Sequence, residues 1–282
     1  MSYSLNKLYE VVGISKQAVH QYQARHQNFE EQLEILLLEV DALRIVHPGC
    51  GLEKMYYTLQ PSFIGRDRFI ALLMQLGYRV KKKPNYQRTT RSGPIRYPNK
   101  IKGMEVDGPL QIWQSDITYI RVKENFYYAV FILDVYTKII VGHKVSDHLR
   151  ATANVMTLKK AIATYGIPKY HHSDAGSQYG YKNYIELLDR HKIEISMGQR
   201  AQENAYAERI HRTIKEEYLS LWNPQTYRQL QRQTAKAVRH YNQDRLHNSL
   251  ARKSPVNFAQ YWAKLTPEQR PRITIKEFDF LT

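Results

Sequence analysis

The chain of 282 residues contains one cysteine, Cys50, so it has no internal disulfide framework and no zinc site that needs two thiolates. Cys50 is expected to be a small buried apolar residue. Long apolar runs are also missing: no stretch approaches the roughly 20 residues of a membrane helix, and the start, MSYSLNKLYE, lacks an export-signal pattern. No membrane association is expected. Acid is scarce, with 26 Asp+Glu against 42 Lys+Arg and a formal net charge of +16. Such a balance favours a polyanionic partner such as nucleic acid, although ribosomal or merely basic proteins share it, and the missing signals point to the cytosol.

The positive charge is not spread evenly. From Arg79 to Lys102 the stretch RVKKKPNYQRTTRSGPIRYPNKIK carries nine Lys/Arg and no acid, interleaved with Tyr86, Tyr97 and three prolines. It cannot form a core. It reads as an extended basic linker over residues 79–104 that follows phosphates, with Lys81, Lys82 and Lys83 at its densest point, or else as a solvated tether.

Before the linker, residues 1–78 have helical period. Leu5, Leu8, Val11 and Val12 precede a turn at Gly13, and Ser15 is placed to cap a helix whose Ala18, Val19 and Tyr22 face a partner helix. Its other face holds Lys16, Gln17, His20 and Gln21, and the cadence is that of a helix-turn-helix that reads DNA. A second long helix is expected from about Phe29 to Val46, with two shorter ones after HPGCG. A small helical bundle without DNA contact fits the same pattern.

After the linker the period changes. PLQIWQSDITYIRV, FYYAVFILDVYTKIIVGHKVS and KYHHSD have strand chemistry, and LRATANVMTLKKAIATYG and KNYIELLDRHK are helical. The order is three strands, then helix, strand, helix, strand, helix. This is a mixed α/β domain over 105–223, an antiparallel meander beside parallel strands, with a helical extension over 224–282.

Three carboxylates fall at informative places. Asp116 lies inside the first strand, where an uncompensated charge is costly. Asp174 follows a strand at its carboxyl end, where open α/β sheets put their sites, and Glu208 sits on an amphipathic helix with Asn204, Arg212 and Lys215 on one face and Ala207, Ile210, Ile214 and Tyr218 on another. Singly, each has an ordinary explanation: structural aspartate, turn residue, solvated helix charge. Together on a basic protein they point to Mg²⁺ (or Mn²⁺), two ions per site, holding phosphate oxygens, with Arg212 and Lys215 facing DNA. Asp134, in ILDVY, is an acid of similar setting that is expected to be structural.

WQSDITYI, FILDVYTKIIVG, HHSDAGSQY, ENAYAERIHRTIKEEY and YNQDRLHNSLARKSPVNF resemble, in order, the motifs of bacterial insertion-sequence transposases, the second-reading-frame proteins of two-frame elements, which have a retroviral-integrase-type catalytic core. The resemblance implies a ribonuclease-H-like fold and an Asp, Asp, Glu triad at Asp116, Asp174 and Glu208, with Lys215 as the basic residue that follows. It also implies action on mobile-element ends and target duplex, a homo-oligomer on DNA and a first-frame partner protein. The spacing from Asp174 to Glu208 is slightly shorter than the family's usual one, and Glu203-Asn204 replaces the commoner Asp-Asn. The zinc domain of retroviral integrases has no counterpart in a chain with one cysteine.

The expected activity is a DNA transposase that hydrolyses a phosphodiester and directs the exposed 3′-OH at a second one. A catalytically silent DNA-binding repressor and a ribonuclease-H-type nuclease are the alternatives. Phosphate contacts by the linker should release counterions, so affinity for DNA should fall steeply with salt. Neutralising Lys81, Lys82 and Lys83 together is expected to flatten the log–log salt dependence of binding; an unchanged slope would reduce the stretch to a tether.

Overall fold

A computed structural model of the chain describes residues 4–80, 97–199 and 201–276. It divides into two compact units, Met1–Val46 with Cys50–Lys81, and His47–Gly49 with Lys82–Thr282. No helix among the described residues is long and apolar enough to cross a membrane.

The first unit is helical: α1 (Leu5–Val12), α2 (Lys16–Val46), α3 (Leu52–Leu59) and α4 (Arg66–Gln75). Gly13 ends α1 in the left-handed conformation that glycine adopts at least cost, and Ser15 caps α2 through the Ala18 amide. The core forms only from the second half of α2 onward, where Leu36, Val40, Cys50, Met55, Phe69 and Leu73 bury one another. Arg44 ties this core together by donating to the carbonyls of Cys50 and Tyr78.

The start of α2 departs from the sequence reading. Two helices were expected across residues 15–46, yet α2 runs unbroken for 31 residues. The reason is local, since residues 23–28 hold neither glycine nor proline and nothing stops a helix there. The expected packing face is also absent: Ala18 is exposed, Tyr22 is 65% exposed and α1 buries no residue.

The second unit is built on a five-stranded sheet. Its elements are β1 (Glu105–Val106), β2 (Ile112–Val122), β3 (Asn125–Asp134), β4 (Ile140–Ser146), α5 (Ala151–Tyr165), β5 (Tyr170–Asp174), α6 (Lys182–Arg190), β6 (Glu194–Gly198) and α7 (Ala205–Ile214). A π-turn (Lys215–Leu219) leads into α8 (Ser220–Trp222), followed by α9 (Tyr227–Gln243), α10 (Pro255–Trp262) and β7 (Ile273–Thr274). The sheet order is β4-β3-β2-β5-β6, with β2, β3 and β4 antiparallel and β5 and β6 parallel to β2. This is the antiparallel meander beside parallel strands that the sequence order implied, and the ribonuclease-H-like arrangement that the resemblance implied.

Alternation along the strands feeds two cores. Ile120, Phe131, Leu133 and Val145 pack with Ile210, Ile214 and Tyr218 on one face, and Trp113, Ile132 and Val141 pack with Leu158, Tyr184 and Leu188 on the other. A third cluster joins Ile101, Val106, Val135 and Tyr136 to Leu250, Phe258 and Ile275, closed by the pairing of β1 with β7.

Asp134 ends β3 as a structural residue. One carboxylate oxygen accepts from the amide and hydroxyl of Thr137 at 2.8 Å each, and the other from the amide of Leu110 at 2.8 Å. Asp134→Asn puts an amide donor against one of these donors, a loss of about 1–3 kcal/mol for a buried unsatisfied group. A drop in Tm of several degrees by calorimetry is expected; an unchanged Tm would contradict this role.

Candidate active site

Backbone register brings the two aspartates together. Ser115 on β2 pairs with Ser173 on β5, so Asp116 and Asp174 stand one residue further along neighbouring parallel strands. Asp174 is the last residue of β5, and Gly176 allows its own amide to donate to the Asp174 carboxylate at 3.1 Å. A Cβ at Gly176 would lie 2.9 Å from that oxygen. Glu208 is on the first turn of α7, the helix that packs over β2 and β3. Asn204, which the sequence reading placed on the face of Glu208, is instead buried at the head of α7 and donates to the carbonyl of Ser115 at 3.0 Å.

Burial raises both Asp134 and Asp116, but Asp134 is opposed by its own donors and Lys138 whereas Asp116 is raised further by like charges. Burial first, then the charge of Asp174 and, more weakly, of Glu208, push Asp116 up to about 8, against the amide of Ile117 and the charge of Lys215. Burial likewise raises Asp174. Lys215, at the start of the π-turn, is half-buried and brought down to about 8 by burial, partly offset by Asp116. Glu208 stays half-exposed, and Arg212 reaches it across one helical turn at 3.6 Å.

Sequence reasoning missed His211. Three residues after Glu208, its ring is buried with Nδ1 3.4 Å from Asp116 Oδ2, and burial followed by the charge of Lys215 brings it down to about 3. It is therefore a neutral imidazole beside Asp116. Helical spacing from Glu208 was the available signal. Beneath the aspartates, Ser115 and Tyr179 share a hydrogen bond of 3.0 Å.

The remaining expected residues belong to other parts of the chain. Lys16, Gln17, His20 and Gln21 are exposed on the first turns of α2, in the other unit, where Ala18 and Tyr22 are equally exposed. Lys81, Lys82 and Lys83 fall outside the described residues. Among the described residues, no three His, Cys, Asp or Glu side chains gather tightly enough to enclose one ion. A divalent cation would thus be shared by pairs of carboxylates, with water and phosphate oxygens completing its shell, the mode Mg²⁺ favours. Burial first, and then the like charges of Asp174 and Glu208, raise Asp116; a cation among these carboxylates would offset both, so the residues present fit it.

An integrase core domain family matches residues 106–202, and a second integrase core domain family matches residues 190–255. The insertion element IS600 uncharacterized 31 kDa protein of Shigella sonnei is 29% identical over 276 residues, covering 91% of this chain and 98% of that protein. The transposase for insertion sequence element IS904 of Lactococcus lactis is 28% identical, covering 70% and 79%. Among solved structures, the HTLV-2 integrase catalytic core domain in complex with magnesium is similar at TM-score 0.47 and 21% identity, over 54% of this chain and 97% of that one. Integrase core domain models thus match residues 106–202 and 190–255 in turn, and along most of its length the chain is similar to insertion-sequence transposases.

Proposed function

We propose that Asp116, Asp174 and Glu208 are the catalytic carboxylates of this transposase, acting at the ends of its mobile element and then at target duplex. The observation that carries the assignment is the contrast between two aspartates on one sheet, Asp134 fully buried and Asp116 partly exposed. Asp134 is satisfied by three donors, whereas Asp116 has the amide of Ile117, a neutral His211 and two further carboxylates. Such an arrangement costs stability unless a ligand repays it.

Asp116 with Asp174 would hold one divalent cation and Asp116 with Glu208 a second, Mg²⁺ or Mn²⁺. When bound, the pair supplies Lewis-acid stabilisation to the attacking and leaving oxygens of an in-line displacement. The chain's own groups position the rest. His211 and the Ile117 amide fix the Asp116 carboxylate, the Gly176 amide fixes Asp174, and Lys215 and Arg212 bring positive charge to a phosphate beside them.

In the first step a water oxygen forms a bond to phosphorus and the 3′-oxygen leaves with a proton. In the second, that 3′-oxygen loses its proton, attacks another phosphodiester and displaces a new 3′-oxygen. No side chain becomes bonded to DNA. Two element ends, each needing a site, call for a homo-oligomer on DNA, and a first-frame partner would add to end recognition. The exposed Lys16, Gln17, His20 and Gln21 and the basic stretch with Lys81, Lys82 and Lys83 would supply contacts outside the core.

Asp116→Ala, Asp174→Ala and Glu208→Ala should each abolish cleavage and joining, at least 100-fold on a denaturing gel, with DNA binding near wild type. Asp134→Asn should retain cleavage. Binding without cleavage by the wild-type chain in Mg²⁺ or Mn²⁺ would favour the silent repressor, and cleavage without joining a nuclease.

The pH dependence of stability has a definite sign. The folded Asp116 keeps its proton up to about 8, well above the usual carboxylate range, so the folded state binds the extra proton between about pH 4 and 8. Its contribution is present at the acid end of that window and is lost as pH rises through it. In chelator at pH 8, Asp116→Asn should therefore melt above wild type by about 2 °C or more, an advantage that vanishes near pH 4. Equal melting at both pH values would rule out the strained carboxylate.

A further inference from the structure

The site described above leaves a second charged cluster unexplained, on the far side of Lys215. Glu217, inside the π-turn, is gripped by Arg245 through two parallel hydrogen bonds, Nε to Oε2 at 2.7 Å and Nη2 to Oε1 at 2.6 Å. His47 Nε2 lies 2.7 Å from the same Oε2. The His47 ring stacks on Tyr218 at 4.9 Å, and Arg245 Nη1 faces the ring of His247. The Gly49 amide donates to the backbone carbonyl of Glu217 at 2.8 Å, and a Cβ on Gly49 would fall 2.4 Å from the Glu217 Cα. Side-chain, backbone and steric contacts thus converge on one residue. All of these groups belong to the second unit.

What Glu217 sits in gives this cluster its meaning. A π-turn inserts one residue into a helix, is uncommon, and persists where its surroundings hold it. Upstream, Ile210 and Ile214 are anchored in the core; downstream, Tyr218 and Leu219 are anchored in the same core. The inserted residue lets both anchors face inward. If the turn relaxed to an ordinary helix while Tyr218 and Leu219 stayed buried, everything before it would have to rotate by about 100°, one residue's worth of helix. Lys215 is the first residue of the turn and Glu208 lies two helical turns before it, so both would swing away from Asp116.

We infer that Arg245 is a positioning residue for the transposition chemistry: through its double hydrogen bond to Glu217 it holds the π-turn that directs Lys215 at Asp116. The inference rests on the site assignment above. Arg245 touches no reacting atom and acts at a distance, through the backbone of residues 215–217. A lysine would not replace it, because a single ammonium cannot make the parallel pair.

The test is a double-mutant cycle on the full-length chain, with Mn²⁺ and a duplex carrying the end of the element that encodes it. Arg245→Gln should lower the single-turnover cleavage rate about tenfold or more with little change in apparent Kd for that duplex. Glu217→Gln should do the same. In a Lys215→Gln background, adding Arg245→Gln should cost measurably less than it does in the wild-type background, because one of the two groups that the turn directs is already gone. The milder Arg245→Lys serves where Arg245→Gln does not fold, which calorimetry reports.

Equal fractional losses in both backgrounds would show a structural role only and overturn the inference, as would a wild-type rate for Arg245→Gln. Asp116→Asn separates this from the underlying assignment. If it is inactive and Lys215→Gln is fully active, the site stands and the positioning role falls. If it is active, both fall together.

Discussion

The backbone pairing of β2 on both of its edges is the constraint from which the core follows. β3 runs antiparallel along one side of this 11-residue strand and β5 runs parallel along the other, so β2 is central and can turn charge outward on neither face without cost. Its pairing puts Ser115 beside Ser173, and thereby Asp116 beside Asp174. The same strand gives Trp113 to one core and Ile120 to the other, while the carbonyl of Ser115 receives the side chain of Asn204 and so fixes where α7 begins. Strand order, helix entry and carboxylate placement are three results of one register.

The contrast between Asp134 and Asp116 shows how this sheet separates architecture from chemistry. Asp134 closes a turn and accepts three hydrogen bonds. Asp116 is left undersatisfied among like charges, which is a stability cost. Apolar burial around it offsets that cost: Tyr179 and Tyr184 are fully buried below the site, and the Tyr184 hydroxyl shares a hydrogen bond of 2.9 Å with a neutral His171. The aromatic layer underlies the strand ends without adding charge there.

Much of this was legible in the sequence, for identifiable reasons. Strand alternation around Trp113 and Ile120 and the helical period of Ala207, Ile210 and Ile214 are local signals, and both cores followed from them. The position of Asp174 at a strand end was equally readable. Hidden features depend on contacts distant in sequence or on backbone irregularity. The π-turn exists because the anchors on its two sides are out of step by one residue, and no residue type marks that. Arg245 meets Glu217 across 28 positions and His47 meets it across 170. The unbroken α2 was missed for the opposite reason, an apolar gap read as a break although no breaker was present.

The pairing of Glu105 with Thr274 carries a consequence for how the protein comes into being. The first strand of the second unit waits for a partner near the far end of the chain, and the cluster around Val106, Tyr136 and Phe258 stays open until that partner arrives. On a ribosome, the meander of β2, β3 and β4 emerges long before β7. A nascent chain therefore carries every proposed catalytic side chain while its third core is still unsealed. Closure of the third core thus follows the synthesis of β7, after every proposed catalytic side chain has been made.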